Sequence, residues 1–177
     1  PVGPGKLEAA IKEHPDAKVV AFVHAETSTG VRSDAGTLCR LAKSAGMLVI
    51  MDAVTSLAGI DLQADAWGAD VVYSGTQKCL SGLPGISPIT FSDDAVAAIQ
   101  ARKHKVQSWF LDMNLIMGYW GEGAKRSYHH TAPVNAVYAI HEALLMLEEE
   151  GLEASFARHK ANHLKLAAGL SKLGLEM

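Results

Sequence analysis

Apolar residues in this chain come in short, nearly unbroken runs separated by stretches with helical spacing. KVVAFVHA (18–25), MLVIMDAV (47–54) and DVVYS (70–74) are three such runs, and each carries a polar residue at or near its end. Runs of this kind predict strands covered on both faces, as in a parallel sheet. ISPITFS (86–92) predicts a fourth strand, which Pro88 confines to an irregular or edge position. KLEAAIKEH (6–14) has helical periodicity and ends at a proline. From Ala35 to Ala45 the apolar spacing is again helical, with Asp34 as N-cap and Gly46 as stop. ETSTGVRSD (26–34) reads as a polar loop, and turns are expected around LQADAWGA (62–69). Asp93 is expected to cap a helix over DAVAAIQARK (94–103). The alternation predicts an α/β fold with a largely parallel sheet.

The pattern changes after about residue 104. SWFLDMNLIMGYW (108–120) concentrates aromatics and methionines, which suggests helix packing or an interface. A long helix is predicted after Pro133, within residues 128–151, and another follows it. These helices look as if they leave the sheet domain. LGLEM, at the end of the sequence, reads as the possible start of a strand.

Composition adds little to that picture. The chain has 177 residues, 49% apolar and 20% charged, with a formal net charge of −3. That describes an ordinary globular chain with no pull toward nucleic acid or anionic membrane. Cys39 and Cys79 are far apart and form no CxxC, so a reducing compartment, the cytoplasm by default, is expected. No apolar run is long enough to predict a spanning helix, and PVGPGKLEAA has no secretory apolar region.

Ligands of an open α/β sheet bind beyond the carboxyl ends of its strands. Three polar clusters fall there: His24 to Thr29, Asp52, and Ser74 to Lys78. Lys78 stands between a glycine turn and an apolar patch. It is either a surface lysine with a snorkelling stem or a desolvated amine able to form a Schiff base with a carbonyl. Asp52 either accepts backbone hydrogen bonds at a strand end or faces a cation such as a protonated pyridine nitrogen. Ser74-Gly75-Thr76-Gln77 is a plain turn or an anion cradle. It is not a P-loop, and no GxGxxG occurs. His24 reads first as a satisfied core histidine, and Cys79 as a buried structural cysteine. His129 and His130 are neighbours, and adjacent side chains rarely converge on one metal, so no metal site is expected.

Taken together, HAETSTG, MDAVTSLAG, YSGTQKCLSGLPG and YHHTAPVNAVYAIHEAL resemble the pyridoxal-phosphate-dependent class V aminotransferases, most of all the alanine–glyoxylate and serine–glyoxylate (serine–pyruvate) group. The resemblance implies fold type I. Residues 1–130 would form the C-terminal part of the cofactor-binding large domain, and 131–177 a linking helix and the start of the small domain. It also implies transamination between an amino acid, serine or alanine, and a 2-oxo acid such as glyoxylate or pyruvate. Phosphonate, phosphoserine and cysteine desulfurase-like relatives remain alternatives, as does a non-catalytic α/β interaction module. Gln77, where desulfurases typically carry histidine, favours transamination.

Carried over by motif, Lys78 resembles the lysine that holds pyridoxal 5'-phosphate as a Schiff base. Asp52 resembles the acid paired with the ring nitrogen, and Val54 the residue packed on one ring face. Thr27 matches a hydroxyl near the ring's phenolic oxygen, and Gln77 a phosphate ligand. Tyr128 and Thr131 resemble a pair that reaches the phosphate of a neighbouring subunit's cofactor, which implies a homodimer or association with the rest of the enzyme. Family members are considerably longer. The Gly-rich phosphate turn and the ring-stacking aromatic would lie upstream, and the substrate-carboxylate arginine downstream. None of Arg32, Arg40, Arg102, Arg126 and Arg158 matches that arginine. The 177 residues alone are therefore expected to be inactive or nearly so.

Overall fold

A computed structural model describes residues 2–121 and 127–175. Arg126 and the last two residues of LGLEM lie outside the described residues. A four-stranded sheet is built from β1 (Val19–Val23), β4 (Leu48–Asp52), β5 (Val71–Tyr73) and β6 (Ile89–Phe91), in that order. β1, β4 and β5 are parallel, and β6 returns antiparallel at the edge, as Pro88 predicts. The expected polar loop holds a small hairpin of β2 (Ala25–Glu26) and β3 (Val31–Arg32). Helices α1 (Pro4–Glu13), α2 (Ala35–Ser44), α3 (Ala64–Trp67), α4 (Asp93–Gln100), α5 (Met113–Trp120), α6 (Val134–Glu150) and α7 (Leu152–Lys172) complete the order. None of the described helices is long and apolar enough to cross a membrane.

Local chemistry explains most boundaries. Asp34 Oδ1 accepts the Thr37 N–H at 3.2 Å and starts α2, while Gly46 takes the left-handed φ of 74° that ends it. At α4 the cap is Ser92 rather than Asp93: its Oγ accepts the Ala95 N–H, and Asp93 is the first helical residue. The LQADAWGA segment forms the short helix α3 rather than turns alone, closed by Gly68 at φ 76°.

The core lies on one face of the sheet. Leu38, Cys39 and Ala42 of α2 pack against Val49 and Met51 of β4, Phe22 of β1 and Val72 of β5, with Leu7, Ile11 and Trp67 closing the rim. Among the described residues one face of these strands is covered and the other is not. α1, α2 and α3 all group with the same face. On the other, Val19 is 46% exposed and, with Leu48, Ile50, Val71 and Phe91, lines an open apolar trough of about 500 Å³ beside α4.

Asp70 was not legible as a structural residue. Its side chain is 2% exposed. It accepts the Val49 N–H at 2.7 Å, the Lys43 ammonium at 2.9 Å and the Ser92 hydroxyl at 2.8 Å. This one carboxylate joins α2, β4 and the cap of α4. Burial alone would raise its pKa, but the Lys43, Val49 and Ser92 donors outweigh that and hold it below the usual carboxylate value. A depressed folded pKa contributes stability above the unfolded value of about 3.9 and loses it as pH falls through the folded one. Asp70→Asn is expected to lower unfolding stability by about 2 kcal/mol at neutral pH. The deficit should shrink in urea titrations as the pH falls below the unfolded carboxylate value of about 3.9.

Candidate active site

The parallel register brings the candidate residues to one end of the sheet. Val23 of β1 stands beside Asp52 of β4, and Asp52 beside Tyr73 of β5. Asp52 is half-buried, and both of its carboxylate oxygens are engaged. Oδ1 accepts the Val54 N–H at 2.8 Å, and Oδ2 accepts the Tyr73 hydroxyl at 2.8 Å. The bond to Asp52, then burial, raises the Tyr73 pKa, so the phenol stays a donor. The sequence reading missed Tyr73 because only strand register sets it opposite Asp52. A carboxylate has about four lone-pair sites, so Asp52 retains capacity for a further cationic donor.

The loop from Ser74 to Gly82 is held by its own backbone. Ser74 donates through its N–H to Pro88 O and through its hydroxyl to Ala53 O. Thr76 is buried and donates its hydroxyl to Leu83 O, while the Gly82 N–H returns to Thr76 O at 2.8 Å. Gln77 folds back over Gly75, where a Cβ would come within 2.8 Å of Gln77 Oε1. The fixed backbone presents Lys78 outward. Its side chain is exposed and makes no ion pair among the described residues.

Cys79 joins this loop to the turn after β4. Its thiol lies 3.6 Å from Thr55 O, and a Cβ on Gly59 would come within 2.6 Å of Sγ. Burial raises the Cys79 pKa, in line with a structural rather than nucleophilic role. Thr55 donates its hydroxyl to Ala25 O at 2.5 Å, which ties the same turn to β2. Thr27 is exposed in the tight turn after β2. There the Glu26 carboxylate accepts the Ser28 N–H and hydroxyl.

His24 departs from expectation. Its ring is buried against the edge of Trp67, but Nδ1 has no hydrogen-bond partner among the described residues. Burial, then the Arg32 charge, lowers its pKa and keeps it neutral. Tyr128 and Thr131 are not joined to Asp52 or Lys78 by any described hydrogen bond. They bond each other, hydroxyl to hydroxyl, at 2.6 Å on an exposed surface. His129 and His130 meet each other at 2.7 Å between their Nδ1 atoms.

The described residues fit pyridoxal phosphate. An outward amine stands on a rigid loop, a carboxylate with spare acceptor capacity sits on the adjacent strand, and a small-residue turn carries an amide side chain. The aminotransferase class-V family model matches residues 3–176. An alanine–glyoxylate aminotransferase of Oryctolagus cuniculus is 40% identical over 176 residues, which cover 97% of this chain and 44% of that protein. An (S)-ureidoglycine–glyoxylate transaminase of Bacillus subtilis (strain 168) is 34% identical over 178 residues, covering 90% of this chain and 42% of its own length. The crystal structure of an alanine–glyoxylate aminotransferase from Nostoc sp. superposes with a TM-score of 0.90 at 44% identity, over 96% of this chain and 44% of that one. This chain thus spans less than half the length of these relatives, and its mainly parallel α/β fold is theirs over that part.

The Gly59–Cys79 contact is testable. Gly59→Ala is expected to cost about 1–3 kcal/mol by overpacking, and Cys79→Ala in the same chain to restore most of it. An unchanged urea midpoint for the single variant would show that the two loops are not tightly joined.

Proposed function

We propose, because the chain belongs to the aminotransferase class-V family, that its Lys78 and Asp52 serve amino-group transfer dependent on pyridoxal phosphate. The donor would be a small amino acid, serine or alanine, and the acceptor a 2-oxo acid such as glyoxylate or pyruvate. One observation carries the reading. Lys78 is displayed by an immobilised loop whose neighbour in the sheet ends in Asp52, a carboxylate oriented by Tyr73 and the Val54 N–H. The names of the relatives support the substrate class.

When bound, the cofactor supplies an electron sink for charge that develops at the substrate α-carbon. Lys78 would hold the cofactor through Nζ and, as a free amine, would take the proton from the substrate Cα as general base and give it back as general acid. Asp52 would keep a positive ring nitrogen charged, because a carboxylate beside a cation favours the protonated form. Tyr73, by donating to Oδ2, fixes which way that carboxylate points. Val54 would pack on one ring face, Thr27 would approach the phenolic oxygen, and Gln77 would bind the phosphate.

Tyr128 and Thr131 would reach the cofactor phosphate of a second subunit, so the working unit would be a homodimer. Residues 1–130 would belong to the cofactor-binding domain, and 131–177 would lead into a smaller one. The share of the relatives' length that the chain spans supports further segments in the complete site. Free Cys39 and Cys79 support a reducing compartment such as the cytoplasm.

In a full-length enzyme, pyridoxal phosphate should give a visible absorbance band that borohydride fixes and that Lys78→Ala abolishes. A wild-type band in that variant would remove Lys78 from the covalent role. Asp52→Ala should keep the band but lower kcat about a hundredfold or more, as for other losses of preorganised charge. Unchanged turnover would take Asp52 out of the mechanism.

A further inference from the structure

We propose that His129 is a positioning residue that presents the Tyr128 and Thr131 hydroxyls as one phosphate-binding unit. The inference rests on the assignment of that pair made above. Residues 128–131 are four polar side chains in a row, and the structure divides them. Tyr128 is 69% exposed and Thr131 also faces out, whereas His129 is 5% exposed. The outer hydroxyls are 2.6 Å apart. Each hydroxyl has one hydrogen. One is used in their mutual bond, which leaves the other to give to an anionic oxygen.

The backbone does not hold this segment. The Ser127 N–H bonds Gly118 O, and the next described backbone bonds are those to Pro133 O that open α6. Among the described residues none involves the backbone of 128–132, so side chains do the anchoring. His129 stacks on Trp109, with centroids 4.0 Å apart and an interplanar angle of 28°. Its Nε2 lies 3.1 Å from Trp109 O, and its Nδ1 2.7 Å from His130 Nδ1.

A carbonyl only accepts, so His129 Nε2 donates a hydrogen to Trp109 O. Of the two facing Nδ1 atoms, one donates to the other. His129 cannot turn without losing both bonds. His130 is in turn held by Phe110 and by Tyr119, whose ring also meets Tyr128 edge-on at 5.7 Å. The inner pair thus fixes, from behind, the direction in which the outer pair points.

The test compares pyridoxal phosphate with pyridoxal, which lacks the phosphate, as ligands of the full-length enzyme. His129→Phe keeps a flat ring on Trp109 and removes both nitrogens. It should weaken pyridoxal phosphate binding about tenfold, the effect of losing two ordinary hydrogen bonds, and leave pyridoxal affinity unchanged. Adding Tyr128→Phe to it should cost little more. An equal loss for both ligands, or none, overturns the positioning role. If His129→Phe does not fold, His129→Gln, which keeps an amide donor toward Trp109 O, carries the same comparison. It should show a smaller loss confined to the phosphate-bearing ligand, and no selective loss overturns the role. The premise is read separately: Tyr128→Phe with Thr131→Val must itself weaken only pyridoxal phosphate. If it does not, the pair's assignment falls whatever His129 does.

Discussion

The parallel register of the central strand is the constraint on which the site depends. β4 lies between β1 and β5, and the register sets Val23, Asp52 and Tyr73 side by side at the carboxyl ends. A slip of one residue would turn Asp52 to the opposite face and separate it from the Tyr73 hydroxyl. Carboxylate chemistry fixes the register at both ends. Asp70 holds the entry of β5 to the Val49 N–H, and Asp52 receives Tyr73 at the exit. The first is deep, paired with Lys43 and structural. The second is half-exposed and keeps capacity to serve a ligand.

From that frame the loops are fastened to one another rather than left as independent connections. Thr55 ties the turn after β4 to Ala25, Cys79 meets Thr55 O, and Gly59 leaves room for the Cys79 sulfur. α7 joins the same turn through the fully buried Ser155, which donates to Ala58 O at 2.8 Å. Ala58 itself has a left-handed φ of 68°, a conformation that costs a non-glycine residue and persists only where neighbours enforce it. Lys78 and Asp52 therefore sit on segments that share their packing. This is how a flexible lysine side chain acquires a fixed base.

The second polar centre follows a different logic. Around Tyr128 the anchoring is aromatic and imidazole-based, and none of its described hydrogen bonds reaches Asp52 or Lys78. The trough along the second sheet face and the apolar side chains exposed on α6 and α7 are further surfaces that this chain leaves uncovered.

The sequence by itself determined the four strands of the sheet, helix α2 with its cap at Asp34, the edge character of the strand after Pro88, and the residues that a family resemblance singled out. Those features are local: apolar runs, turn chemistry and motif spacing carry them without knowledge of partners. Only the tertiary structure decided which sheet face α1, α2 and α3 cover, because an apolar run does not record which helices reach it. It alone set Tyr73 on Asp52 and Asp70 on Val49, since strand register is a long-range pairing. It likewise left His24 Nδ1 without a described partner and brought His129 onto His130. A histidine's burial and tautomer depend on the rings and carbonyls around it, and in the case of His129 one of those, Trp109, stands twenty residues away in the chain.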